Sequence, residues 1–390
     1  MVNALGRTPD EIWPRLLAAD RSGFHTRDDI VPGRSLWLAE VEGRLPRIPQ
    51  RLRRFDCRNN ALTAAALEQI ESRISDVVCA VGAERVGVVM GTSTSGVSDA
   101  EAAIRHRVRT QQLTESFDYD QLELGGTASF VAELLGLGGP AYTISTACSS
   151  GARALASARS LISIGLCDAV VAGATDSICG LTTNGFSALQ AISDEVTNPC
   201  SANRRGLTLG EGSAVFLVTR GDADIRLRGV GESSEGHHMS APDPSGEGAE
   251  KAMCGALRDA DLDASDIVYL NLHGTGTTLN DAMECAAIER VFERVPPCSS
   301  TKSLVGHTLG AAGAMEAGFC WMVLERALRE PPGPAHLALP PHAFDGEVDP
   351  ALGALDLARA GAQAPMGAIM SNSFGFGGNN CTLVLEASPS

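Results

Sequence analysis

The chain has 390 residues, 44% of them apolar and 20% charged. That is enough for two domains or one composite fold around a large core, and too apolar for intrinsic disorder. The 31 lysines and arginines stand against 47 aspartates and glutamates, a net charge of −16, which excludes nucleic acid as a partner because such a field repels a phosphate backbone. There is no apolar run of about 18 residues and no charged-then-apolar leader at the amino terminus, so no membrane partner is expected and the location is expected to be cytoplasmic.

In chain order, short Val/Ile-rich runs alternate with Ala-rich stretches: RVGVVMGTSTSG (85–96), AYTISTACSSGARALASARSLISIG (141–165), DAVVAGATDS (168–177), SAVFLVTRG (213–221), DIVYLNLHGTGTTLNDAMECAAI (266–288) and GAIMSNSFGFGGNNCTLVLEA (367–387). Such alternation predicts an α/β architecture. The segments 143–158 and 299–317 look like versions of one unit, a strand, a polar turn and a helix of small residues. They suggest an internal duplication with halves 1–220 and 221–390. The segment 230–250 lacks periodicity and reads as a loop or lid over a site. The 11 cysteines lack the spacing of a disulfide framework or zinc knuckle, so free thiols and no metal centre are expected.

Four places carry chemistry. Cys148 follows an apolar strand and precedes a helix, where the helix dipole favours thiolate; it is read as a nucleophile or as a buried structural thiol. His273 ends a β-rich run and enters the turn GTGTT, read as a catalytic group or as a core histidine bonded to backbone. Lys302, His307 and Glu316 lie in a segment of Gly, Ala, Leu and Val, where buried charges need partners. In NSFGFGGNN (372–380), glycines at 375, 377 and 378 permit a tight bend or backbone N–H groups aimed at a developing oxyanion.

Together and in this order, TACSSG, NLHGTGTTLND, STKSLVGHTLGAAGAMEA and NSFGFGGNN resemble the β-ketoacyl-acyl carrier protein synthases, in particular the elongating Cys-His-His class of the thiolase superfamily, over residues 3–387. The resemblance implies a thiolase-like fold with two pseudo-repeated halves in five layers, αβαβα. It implies decarboxylative condensation of an acyl thioester with malonyl-acyl carrier protein, in fatty-acid or polyene/polyketide-type elongation. Cys148 would hold the acyl chain, while His273 and His307 would stabilise the enolate. Lys302 would hold the histidines, and the N–H groups of Cys148 and Phe376 would form the oxyanion hole, with Phe376 also the gate. Asp281 and Glu316 would orient the lysine and the turn, Thr275 and Thr277 would contact the pantetheine arm, and Phe186 would line the acyl pocket. No cofactor is implied beyond the carrier's phosphopantetheine, which arrives with the substrate.

The implied partners are an acyl carrier protein and a second subunit, giving a homodimer or a heterodimer with a chain-length-factor-like homologue. An acidic carrier needs a basic patch, for which Arg51, Arg53, Arg54 and Arg58 are the candidates. The chain departs from the family at Gln190, where some relatives have a docking arginine, at Leu207, where an aromatic is frequent, and at Glu235, where aspartate is common. It also starts within the stretch that usually follows a first strand, so an unpaired sheet edge is expected. The departures at Gln190 and Leu207, together with the expected helix RNNALTAAALEQI (58–70), favour a specialised pathway. Two other readings are a non-catalytic chain-length subunit, opposed by the intact Cys148, His273, Lys302 and His307, and a degradative thiolase, for which Cys381 is the only cysteine near the carboxyl end.

Overall fold

The computed structural model describes residues 1–221, 223–329 and 336–388. The elements that carry the site are, in chain order, α1 (Arg58–Leu67), β1 (Val86–Gly91), α2 (Val97–Thr110), α3 (Gly126–Leu135), β2 (Ala141–Ile144), α4 (Ser150–Ser163), β3 (Ala169–Asp176), β4 (Gly212–Thr219), β5 (Ile225–Ser234), α5 (Glu247–Ala260), β6 (Ile267–Asn271), α6 (Thr278–Val291), β7 (Cys298–Ser299), α7 (Lys302–Val305), α8 (Ala312–Arg329), β8 (Ala368–Gly375) and β9 (Asn379–Ala387).

Two mixed sheets repeat one topology. The first runs β2-β1-β3-β4 and the second β7-β6-β8-β9-β5. In each, three strands are parallel (β2, β1, β3 and β7, β6, β8), and the next pairs antiparallel. The resembling segments 143–158 and 299–317 fall on the corresponding units β2-α4 and β7-α8, so the expected duplication is present in the fold. Strand β5 has no counterpart in the first sheet, where β4 lies at the edge and Val2 makes a single bridge to Ser213.

Strand alternation sorts side chains into layers. Val86, Val88 and Met90 face an outer core with Ala64, Leu67, Phe130 and Val131 from α1 and α3, whereas Val89 joins the central core of α4 and α8. On the second sheet Leu270 and Met370 face α5 and α6, while Tyr269 and Ile369 face the centre. The order is therefore helix, sheet, helix, sheet, helix, the five-layer thiolase-like fold.

The small residues of the central helices decide where the site forms. A Cβ on Gly151 would stand 2.6 Å from the Ala314 nitrogen, so only glycine lets α4 approach α8 this closely. That approach brings the start of α4, with Cys148, against the segment leading into α8, with His307. The expected lid is shorter than predicted. Residues 230–234 continue β5 by pairing with β9, and residues 247–250 begin α5, leaving 235–246 as the loop.

Candidate active site

Beyond Ile144 the chain turns through Ala147, whose φ of 54° lies in the left-handed region that an L-residue occupies at a cost. Ser150 Oγ accepts the Thr146 N–H at 2.9 Å and donates to the Ala147 carbonyl at 2.6 Å, which holds this turn. Cys148 is buried there, with its thiol beside its own N–H and that of Phe376. The expected lowering of the thiol by the helix terminus does not prevail. Burial is the largest influence and pushes the thiol up to about 11, against the Lys302 charge and the two N–H groups. Alkylation of Cys148 by iodoacetamide is therefore expected to rise about tenfold per pH unit from pH 7 with no plateau below about pH 10, since only thiolate reacts. A plateau near neutrality, read by mass spectrometry, would contradict this.

The histidines are held in defined tautomers. Leu309 N–H donates to His307 Nδ1 at 3.2 Å, which leaves the ring proton on Nε2, 3.0 Å from the Cys148 sulfur. The Lys302 ammonium, a donor only, lies 3.2 Å from His273 Nδ1, so His273 also carries its proton on Nε2. Burial, assisted by the Lys302 charge, holds both imidazoles well below their usual range, and both are neutral at neutral pH. The sulfur and one nitrogen of each ring lie within 4.8 Å of one another, with the rings edge to face at 5.5 Å. By spacing the trio could ligate a metal, but the ammonium against His273 opposes a cation. Two neutral N–H donors converging beside a thiol suit a developing negative charge better.

A buried polar layer supports them. Lys302 Nζ pairs with Glu316 and donates to the His273 carbonyl. Burial pushes Glu316 up to about 7 despite the lysine. Asp281 accepts the Cys200 N–H at 2.8 Å and the Gly276 N–H at 3.1 Å, tying the turn after His273 to the segment before β4, and burial pushes it up to about 6. Glu284 accepts the N–H groups of His273 at 2.8 Å and Gly274 at 2.7 Å. Sequence reasoning passes over Glu284. Its signal is the spacing of three from Asp281 at the start of α6, which turns both carboxylates toward the same loop.

A pocket of about 400 Å³ opens onto Cys148, His273 and His307, lined also by Phe186, Thr275, Thr277 and Phe376. Phe186 and Phe376 pack at 5.4 Å between centroids, and the Thr275 and Thr277 hydroxyls are 2.9 Å apart. Gln190, Leu207 and Glu235 all reach the lining. Glu235 accepts from Asn380 Nδ2 at 2.7 Å, and Met239 O accepts the Gly377 N–H at 3.0 Å, so the loop 235–246 is tied to the glycine turn behind Phe376.

The arginines expected to dock the carrier do not line this mouth. Arg51 donates to the carbonyls of Glu133 at 3.0 Å and Leu134 at 3.1 Å, Arg54 pairs with Asp120 at 2.9 Å and with Glu133, and Arg58 pairs with buried Glu211. Arg53 makes no side-chain ion pair among the described residues. The arginine that does line the mouth is Arg205, exposed beside Leu189 and Leu279.

A buried thiol flanked by two backbone N–H groups and two Nε2–H donors, at the floor of a pocket, is an arrangement suited to thiol-dependent acyl transfer. Residues 4–223 match the family described as beta-ketoacyl synthase, N-terminal domain, and residues 225–332 its C-terminal domain. Nodulation protein E of Rhizobium meliloti is 34% identical over 314 residues, 77% of this chain and 75% of that protein. The 3-oxoacyl-[acyl-carrier-protein] synthase 2 of Staphylococcus aureus is 32% identical over 78% of this chain and 77% of its own. Among solved structures, a chain of the ketosynthase (ApeO) in complex with its chain length factor (ApeC) from Xenorhabdus doucetiae superimposes with a TM-score of 0.93 and 42% identity, covering 99% of this chain and 96% of that one. A β-ketoacyl synthase from Burkholderia phymatum STM815 gives 0.85 and 31%, covering 100% and 97%. The chain belongs to the β-ketoacyl synthase family and is a condensing enzyme of the acyltransferase type. No helix among the described residues is long and apolar enough to cross a membrane.

Proposed function

We propose that Cys148 takes an acyl group from a carrier-bound thioester and that the enzyme condenses it with malonyl-acyl carrier protein, releasing CO2 and giving 3-oxoacyl-acyl carrier protein. In the first half-reaction the sulfur attacks the thioester carbonyl, whose oxygen is received by the N–H groups of Cys148 and Phe376, and the carrier leaves as its thiol. In the second, the Nε2–H groups of His273 and His307 donate to the malonyl thioester oxygen. As the carboxylate leaves as CO2, its bonding electrons form an enolate, which attacks the acyl-cysteine and expels Cys148 as its thiolate, and the thiolate then takes a proton from water. The observation that carries this reading is the pair of neutral Nε2–H donors fixed beside a buried thiol.

Thr275 and Thr277 suit contacts with the pantetheine arm, and Phe376 against Phe186 suits a gate to the acyl pocket. Arg205 is the cation best sited to meet an acidic carrier. A location in the cytoplasm accords with eleven cysteines that are all free. The second subunit is proposed to be a chain-length-factor-like homologue. This accords with the 42% identity to one chain of the ApeO–ApeC complex and with a run of exposed apolar side chains, Ile104, Val108, Leu113, Tyr119 and Leu124. The test incubates the chain, alone and with a homologue lacking the cysteine, with acyl- and malonyl-carrier proteins. Expected are CO2 and the 3-oxoacyl product, a complex of the two subunits on size exclusion, and at least a fivefold higher KM for carrier in Arg205→Glu. Absence of product under both conditions would sink the reading.

A further inference from the structure

His342 belongs to none of the motifs above and does not line the pocket, yet it is buried where three loops of the site meet. Its Nδ1 accepts the Ser300 N–H at 3.1 Å, and its Nε2–H donates to the Pro199 carbonyl at 2.9 Å. A backbone N–H on one nitrogen and a carbonyl on the other admit one arrangement, the neutral ring protonated on Nε2.

Each partner leads to the same arm of the site. Ser300 Oγ donates to the Gly274 carbonyl at 2.7 Å and accepts the Lys302 N–H at 3.3 Å, so Ser300 joins the turn after His273 to the start of α7. The fit is close, since a Cβ on Gly274, at φ 37°, would stand 2.6 Å from Ser300 Cβ. Pro199 precedes Cys200, whose N–H is bound by Asp281, which also holds Gly276. His307 is held by other means, through its N–H to the Thr208 carbonyl at 2.7 Å and its own carbonyl to the Gly210 N–H at 3.0 Å.

We infer that His342 is a positioning residue for the His273–Lys302 arm, locking the 199–200, 274–276 and 300–302 segments together, and therefore governs enolate formation but not acylation of Cys148. The inference rests on the proposed function for its kinetic consequence, but not for its structural one. Burial lowers the ring to about 4, so this lock stays neutral and in one tautomer over the working pH range.

The test compares His342→Leu, which keeps bulk without either bond, with His342→Gln, whose amide offers an acceptor and a donor at about the separation of the two ring nitrogens. Acylation of Cys148 and decarboxylation of malonyl-carrier are measured separately, and histidine side chains are followed by 15N NMR. His342→Leu is expected to acylate within about twofold of wild type while decarboxylation falls about tenfold to a hundredfold. His342→Gln should recover to within about threefold. In the NMR arm, the His273 ring signals and titration should shift in His342→Leu while those of His307 do not. If His342→Leu is insoluble, Ser300→Ala, which removes the link to Gly274 and Lys302, is expected to give the same split. Equal losses in both half-reactions, no loss in either, or unmoved His273 signals would overturn the inference. A wild type that performs neither half-reaction would instead refute the proposed function, and the NMR arm would still decide the role of His342.

Discussion

Cys148→Ala is expected to form no acyl adduct with any acyl-carrier protein and to lose condensation to background, while still releasing CO2 from malonyl-carrier protein. The substitution removes only the sulfur. The left-handed Ala147, the Ser150 bonds and the N–H groups of residues 148 and 376 stay where they are, and deletion of one buried atom costs on the order of 1 kcal/mol. What disappears is the covalent intermediate, for which no other group of the pocket substitutes. What remains is the pair of Nε2–H donors, so the enolate still forms but has no acyl-enzyme to attack and is protonated to an acetyl thioester. Intact-protein mass spectrometry reads the first half and headspace CO2 the second. Condensation at wild-type rate would remove Cys148 from the mechanism, and loss of decarboxylation together with acylation would show that the two halves are not separable in the way the hydrogen bonding indicates.

Lys302→Met is expected to lower condensation by about two to three orders of magnitude, the size associated with loss of one preorganised polar contact at a developing charge. It is also expected to destabilise the fold by about 3–5 kcal/mol, because the variant leaves Glu316 buried without its cation. Lys302 and Glu316 are both almost wholly buried. The two effects are separable. Lys302→Met combined with Glu316→Leu replaces a buried ion pair by apolar groups and should recover most of the thermal stability but none of the activity. The pH profile supplies a further sign. In wild type, burial and the Lys302 charge both depress His273, so the acidic limb of kcat lies well below pH 6.5. Without the ammonium the His273 pKa rises toward the ordinary imidazole value, and activity is lost at a higher pH as the ring protonates. An unmoved acidic limb, or activity restored along with stability in the double variant, would mean that Lys302 serves the fold alone.

The chemistry was legible in the sequence to the extent that it depends on residue type. A thiol in a Ser/Thr turn, two histidines, and a lysine and glutamate among alanines and glycines are costly to bury without purpose, and all of them gather at or directly behind one pocket. Glu284 escaped because, apart from its spacing of three from Asp281, a glutamate within a helix carries no mark of burial, and His342 because it lies in an aperiodic stretch whose partners come from other parts of the chain. The arginines 51–58 formed a plausible charge cluster, but whether a charge is free or already paired depends on neighbours such as Glu133 and Glu211, which linear order does not bring together.

The alternation of strands and helices, the repetition of one unit in both halves and the candidate reactive groups follow from local periodicity and from the chemistry of individual side chains, and were legible in linear order. The tautomers of His273 and His307, the upward shift of the Cys148 thiol, and the choice of carboxylates that hold the turns of the site emerge once the chain is folded. Those properties arise from desolvation and from hydrogen bonds between segments far apart in the chain. The close contact of α4 with α8, possible through Gly151 and its small neighbours, brings Cys148 to His307, and burial then sets the charge that each group carries.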